Sequence, residues 1–301
     1  MDIINGYEMT QNFSTQNAGT CMWGFCQKDG YEYFIKKFLS PHYPVDDGKL
    51  SPATIEKKIR ICQDFYQEKS EFYRALGQCR TGNLVVIQDF FQYGTEFYAV
   101  ADRVPDVGCP ISALAGCTMD QKLTLLRSIT YSMGRLHDMG IVHADLKPDN
   151  IILVPTAPGY YTGKIIDFDS GFFTGYQSGE VHGDPVYLAP ETFLVMDGEG
   201  IALTEKLDIF ALGILFHQYL TGSCPQVAGD SDYVFEGILS GDPVYLDGRL
   251  QPELQNLLSR MLQQDPDQRP GAWEILQELS AIHESILAGY AAYPSGYGGN
   301  M

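Results

Sequence analysis

The run His143-Ala144-Asp145-Leu146-Lys147-Pro148-Asp149-Asn150, with Asp167-Phe168-Asp169 after it, constrains this chain more than any other feature. It lies between a helical segment and a short apolar run that reads as a strand, so its polar residues belong to a loop between two packed elements. Carboxylates, an ammonium and a carboxamide on such a loop can orient a hydroxyl and hold a hard divalent cation through oxygen, which is what phosphoryl transfer requires. Each is an ordinary loop residue alone; the order makes the signal specific.

With 301 residues, 45% of them hydrophobic, the chain can bury a large core. The formal charge of -18, from 38 acidic and 20 basic residues, argues against a nucleic-acid backbone or an anionic membrane as the main partner. It favours basic protein segments through long-range steering, and it also serves solubility. The seven cysteines, Cys21, Cys26, Cys62, Cys79, Cys109, Cys117 and Cys224, form no C-x-x-C pair and read as reduced thiols. Residues 1–10 lack a signal-peptide core, and no run of membrane-spanning length is present, so a cytoplasmic protein is expected.

Short β-like runs fill the first hundred residues. Tyr7 to Phe13, Cys21 to Cys26 and Tyr31 to Phe38, separated by Asn17-Ala18-Gly19 and Asp29-Gly30, predict a three-strand meander. Ile55, Ile59, Cys62, Phe65, Phe72 and Leu76 recur at helical spacing, and Leu84 to Ile87 and Phe97 to Val100 predict two further strands. The expectation is a small five-stranded lobe with one long helix over 1–104.

From residue 105 the pattern turns helical. Thr118-Met119-Asp120-Gln121 reads as a capping box opening a helix whose buried stripe is Leu123, Leu126, Ile129, Met133 and Leu136. Glu205 to Leu220 is a strongly apolar helix closed by Gly222, and two more helices are marked by Leu254, Leu257 and Met261 and by Trp273, Leu276 and Leu279. This larger region is assigned 105–288. Residues 289–301, rich in Gly and Tyr, are expected to be a disordered tail.

Ala189-Pro190-Glu191 follows the first motifs, Phe34-Ile35-Lys36 precedes them, and Asp208-Ile209-Phe210-Ala211-Leu212-Gly213 and Arg269 come after. With these the chain resembles the eukaryotic-type protein kinases over nearly everything from Tyr7 to about Leu287. The resemblance implies an α+β, bilobal fold and a cytoplasmic serine/threonine kinase, akin to bacterial members of that family, using ATP and magnesium. Aminoglycoside and choline kinases lack the Ala-Pro-Glu to Arg arrangement, which sets phosphorylation of small molecules behind that of proteins.

The resemblance also assigns roles. Asp145 orients the attacking hydroxyl, Lys147 neutralises the transferring group, and Asn150 and Asp167 hold magnesium. Lys36 grips the nucleotide's phosphates, paired with a helix glutamate. Glu68 is preferred over Glu71 because it lies nearer the buried stripe, and Lys37 should point to the opposite strand face into solvent. Gly19, Cys21, Phe34, Ala101, Asp102, Val104 and Ile152 complete the nucleotide-binding set. Asp208 anchors the catalytic loop, and Glu191 pairs with Arg269.

Several positions depart from the pattern. Asn17-Ala18-Gly19-Thr20 keeps one glycine of the phosphate loop, and Phe34 replaces a small residue of the adenine roof, where it either stacks on the base or fills its site. Ala144 stands where many relatives carry a phosphate-binding arginine, which predicts activity independent of activation-loop phosphorylation. Asp169 replaces a glycine, as a turn residue or a third metal carboxylate. Asp184 replaces a hydroxyl residue and repels Asp145 unless Lys147 or a metal lies between them. Glu180 and Asp184 could accept basic residues flanking the target. Two readings follow: a protein kinase acting on serine or threonine of protein substrates, or a pseudokinase scaffold that binds nucleotide weakly or not at all.

Overall fold

A computed structural model describes residues 2–16, 21–45, 48–79, 82–105, 111–175 and 181–292, with the side chains of 289–292 excepted. Gly19 and the rest of the glycine-poor loop, Cys109, Glu180 and the tail from residue 293 lie outside the described residues. The chain divides into two compact units, Met1–Pro105 and Asp106–Met301.

The first unit is an antiparallel six-stranded sheet with one helix. Its strands are β1 (Ile3–Ile4), β2 (Tyr7–Met9), β3 (Cys21–Lys28), β4 (Tyr31–Phe38), β5 (Ile87–Tyr93) and β6 (Glu96–Asp102), in the order β1-β2-β3-β4-β6-β5. The expected five strands become six because Asn5-Gly6, with positive φ at both residues, closes a β1–β2 hairpin. Asp29-Gly30 does the same between β3 and β4. The strand expected at Leu84 to Ile87 instead begins at Ile87, since Leu84 and Val86 are spent as buried anchors before it.

Helix α1 (Pro52–Gln78) opens on Ser51, whose hydroxyl accepts from the Thr54 amide at 3.2 Å. Phe65, Tyr66 and Tyr73 pack edge-on or stacked against Phe90, and Phe65 also meets Phe38 and Phe97. The opposite sheet face buries Ile4, Tyr7, Met9, Cys26, Ile35, Tyr98 and Val100.

In the second unit α2 (Met119–Asp138) begins with the expected capping box: Gln121 N donates to Thr118 Oγ1 at 3.3 Å and Thr118 N to Gln121 Oε1 at 2.9 Å. Its stripe of Leu123, Leu126, Ile129, Met133 and Leu136 is fully buried. The short β7 (Ile141–Val142) follows, then the hairpin β8 (Ile151–Ala157) and β9 (Tyr160–Ile165), and β10 (Phe172–Phe173), which pairs with β7. A Cβ on Gly163 would lie 2.7 Å from Ile129 Cγ1, so glycine lets β9 close onto α2.

Next come α3 (Pro190–Met196), α4 (Lys206–Thr221), β11 (Gln226–Val227), α5 (Val234–Ser240), β12 (Val244–Tyr245), α6 (Pro252–Met261) and α7 (Ala272–Ala292). Buried nearly all round, α4 is the central rod of this unit, and it ends where Gly222, at φ 90°, returns its amide to Gln218 O. Helix α7 runs to Ala292, so the start of the tail expected to be disordered from residue 289 is helical. Among the described residues no helix is long and apolar enough to cross a membrane.

Candidate active site

The catalytic loop is built onto α4. Asp208, fully buried in its first turn, accepts from His143 N at 2.8 Å with Oδ2 and from Ala144 N at 2.9 Å with Oδ1. His137 from α2 meets the same Oδ2 at 3.0 Å. Two adjacent amides can converge on one carboxylate because Ala144 adopts φ 65°, a left-handed conformation that costs energy for a residue with a Cβ and persists only where the surroundings fix it. His143 ties the loop to the strand before Asp167: its Nε2 lies 3.0 Å from Ile166 O, its Nδ1 takes the Asp145 amide at 3.3 Å, and its ring packs 4.8 Å from Phe168.

Asp145 is thereby held with its carboxylate between two donors. Lys147 Nζ approaches Oδ2 at 2.9 Å and Oδ1 at 3.1 Å, and Asn150 Nδ2 donates to Oδ2 at 2.9 Å and to Asp145 O at 2.7 Å. Burial by itself would lower the Lys147 pKa, but the hydrogen bond and charge of Asp145, with the charges of Asp184 and Asp167, raise it above the usual lysine value. Lys147 is therefore a fixed cation among three carboxylates, and its field answers the expected repulsion between Asp184 and Asp145.

With its amide nitrogen committed to Asp145, Asn150 keeps Oδ1 without a hydrogen bond among the described residues. Asp167, the expected second oxygen ligand, is part-exposed and adopts φ 63°. One carboxylate and one carboxamide oxygen are the kind of set that suits magnesium, which takes few protein ligands and completes its shell with water and phosphate. The Asp169 amide lies 3.4 Å from Asp167 Oδ1.

Glu191 and Arg269 form a buried bidentate pair, Nη1–Oε1 at 2.6 Å and Nη2–Oε2 at 2.7 Å. The remaining guanidinium donors go to the carbonyls of Gln263, Lys206 and Gln264, and the Arg269 cation lies 5.0 Å from the Phe210 ring centre.

In the first unit, Lys36 sits on β4 opposite Ala99, on the sheet face shared with Phe34 and Phe38. Its expected partner Glu68 is solvent-exposed and makes no hydrogen bond or ion pair among the described residues; Glu71 is also exposed and accepts from Gln67 at 3.2 Å. At about 100° per residue Glu68 stands roughly 100° from the axis of the buried face of α1. Lys37 departs from expectation too: it pairs with Glu96 at 2.7 Å and is mostly covered.

Phe34 is opposite Ala101 and belongs to a ring cluster that periodicity does not reveal. Trp23 stacks on Phe34 with centroids 6.0 Å apart, and Phe25 meets both edge-on. Arg103 lies 4.2 Å over Phe25 and is held by Glu32 at 3.0 Å. The signal was the register: Trp23, Phe25 and Phe34 project to one face of adjacent strands. Cys21 and Ala101 are buried, Ile152 and Val104 part-buried and Asp102 exposed.

Residues 54–279 match the model of the protein kinase domain. The chain belongs to the protein kinase domain family. It is 34% identical over 164 residues to a serine/threonine-protein kinase of Drosophila simulans, covering 52% of this chain and 21% of that protein. A serine/threonine-protein kinase of Drosophila melanogaster is 33% identical over 171 residues, 54% of this chain and 22% of the relative. Sperm motility kinase 2B of Mus musculus is 28% identical over 179 residues, 58% and 34% respectively. The chain thus spans about a fifth to a third of the length of these relatives.

Proposed function

We propose that the chain is an ATP- and magnesium-dependent protein kinase that phosphorylates serine or threonine of protein substrates in the cytoplasm. The observation that carries this reading is the state of Asp145: pinned through Asp208 and His143, flanked by Lys147 and Asn150, and poised as a carboxylate that accepts a hydroxyl proton. ATP with magnesium supplies the phosphoryl group and the charge that balances it. Asn150 Oδ1 and Asp167 would hold the metal, Lys147 would screen the negative charge of the transferring group, and Lys36 is the residue the family resemblance gives to the phosphates. Since Ala144 leaves the loop without an arginine and Asp208 already fixes it, activity does not depend on activation-loop phosphorylation.

Calorimetric titration with ATP tests this reading. Binding should require magnesium in the parent and be lost or greatly weakened in Asp167→Asn, whereas ATP binding indifferent to both would reject the metal assignment.

The ring cluster of Trp23, Phe25 and Phe34 favours a second reading, because rings stacked on one another on the Lys36 face cover surface a base would use. A scaffold that binds no nucleotide would give no heat in the same titration.

A further inference from the structure

We propose that α3 and the start of α5 form a docking face for a basic segment of a partner protein, an apolar side chain flanked by lysine or arginine. The inference concerns binding alone and does not depend on phosphoryl transfer.

Helix α3 carries large apolar side chains on its outward side. Glu191, Thr192 and Val195 are buried, whereas Phe193 and Met196 are 37% and 46% exposed. At about 100° per residue Phe193, Met196 and Asp197 fall within roughly 100° of one another, so two apolar side chains and a carboxylate share that side. Phe193 is also part of a ring ladder: it lies 5.1 Å from Phe235 of α5, which stacks on Tyr233 at 5.9 Å. The patch leaves apolar area in water that a partner would remove.

Charge selects the partner. Residues 193–247 hold nine aspartates and glutamates and a single basic residue, Lys206, whose ammonium is spent on Arg269 O at 2.5 Å. Asp197 closes α3, Glu199 follows with its amide on Leu194 O at 2.9 Å, and Asp232 precedes Tyr233 at the start of α5. All three are exposed, and their carboxylates make no hydrogen bond or ion pair among the described residues. Glu236 is committed instead to the amides of Asp232 and Tyr233, at 3.2 and 3.3 Å. Carboxylates at both ends of an apolar patch fit cations on both sides of an apolar anchor. A neutral segment would desolvate those acids without pairing them. The chain's own residues 289–301 contain no lysine or arginine, and a second copy brings a charge of -18 against the same charge.

Fluorescence anisotropy with three fluorescein-labelled peptides tests this. The first carries Lys-Lys-Leu-Lys-Lys in a Gly/Ala background, the second replaces the leucine by glycine, and the third replaces the lysines by glutamine. None contains serine, threonine or tyrosine, so none offers a hydroxyl to the catalytic loop. The first should bind the parent about ten-fold tighter than either of the others. Its advantage over the glutamine peptide should fall to less than about two-fold when Asp197→Asn, Glu199→Gln and Asp232→Asn are combined. Its advantage over the glycine peptide should fall likewise in Met196→Ser. Combining Asp64→Asn, Glu253→Gln and Glu284→Gln removes the same net charge elsewhere and should preserve both preferences. Absence of either preference in the parent, or an equal loss in the two triple variants, overturns the proposal. Sedimentation velocity reads the rival occupant: a dimer of the parent that Met196→Ser dissolves would give this face to a second copy and overturn it too.

Discussion

Asp208 holds His143 and Ala144 by their backbone amides, one on each carboxylate oxygen, at 2.8 and 2.9 Å. The catalytic loop therefore takes its shape from a helix in the middle of the core. Asp208→Asn replaces one acceptor with a donor facing another donor, at a cost of about 1–3 kcal/mol for the unsatisfied buried group. Urea unfolding should show that loss, and phosphoryl transfer should fall at least about ten-fold while ATP affinity changes little. Full activity in the variant would mean that the loop holds itself.

Glu191 and Arg269 are both buried, and every guanidinium nitrogen is engaged. Glu191→Gln leaves the arginine charge uncompensated in the interior, so a loss of about 3–5 kcal/mol is expected in denaturant unfolding. A loss below about 1 kcal/mol would show that water reaches the pair.

Phe34 separates the two readings of the first unit. If its ring stacks on the adenine, Phe34→Ala should weaken ATP binding by about five-fold, equivalent to about 1 kcal/mol of aromatic contact. Tighter ATP binding in the variant would show that the ring fills the base site.

His217 on α4 carries a pH prediction. Burial lowers its pKa below the ordinary histidine value, against the opposing effects of the Ser223 carbonyl and Asp247. Its Nδ1 lies 2.7 Å from Ser223 O and 3.3 Å from Thr221 Oγ1, and its Nε2 accepts the Asp247 amide at 2.9 Å, which protonation abolishes. The Asp247 carboxylate, held at about 2 by Arg249, does not titrate in the same range. Below about pH 6.5 the unfolded chain binds the proton that the folded one resists, so this contribution is present above that pH and lost as pH falls through the lower folded value. The thermal midpoint should therefore drop more between pH 7.5 and 5.5 in the parent than in His217→Gln; equal drops would remove His217 from the explanation.

The second unit was legible because its signals are local and periodic. The Thr118 capping box, the α2 stripe and the Gly222 stop each depend on residues within a few positions. The meeting of Lys147 and Asn150 at Asp145 was legible because the order along one loop brings them together. The first unit was harder. Asn5-Gly6 is a strong hairpin signal, but the strands it joins are two and three residues long, too short for alternation to register. Glu68 was misplaced because lying between Phe65 and Phe72 in sequence does not put a residue on their face: at about 100° per residue it stands roughly 100° from the axis of the stripe. The Trp23–Phe34 stack joins residues whose proximity depends on strand register, which one sequence does not encode locally.

Incubation of the purified protein with radiolabelled ATP, magnesium and a serine- and threonine-containing protein substrate, beside an Asp145→Asn variant, tests the central claim most directly. The account predicts labelled phosphoserine or phosphothreonine from the parent and at least about a hundred-fold less from the variant, in line with the contribution of a positioned general base. Equal labelling by both proteins, or none by either while ATP binds, would contradict it.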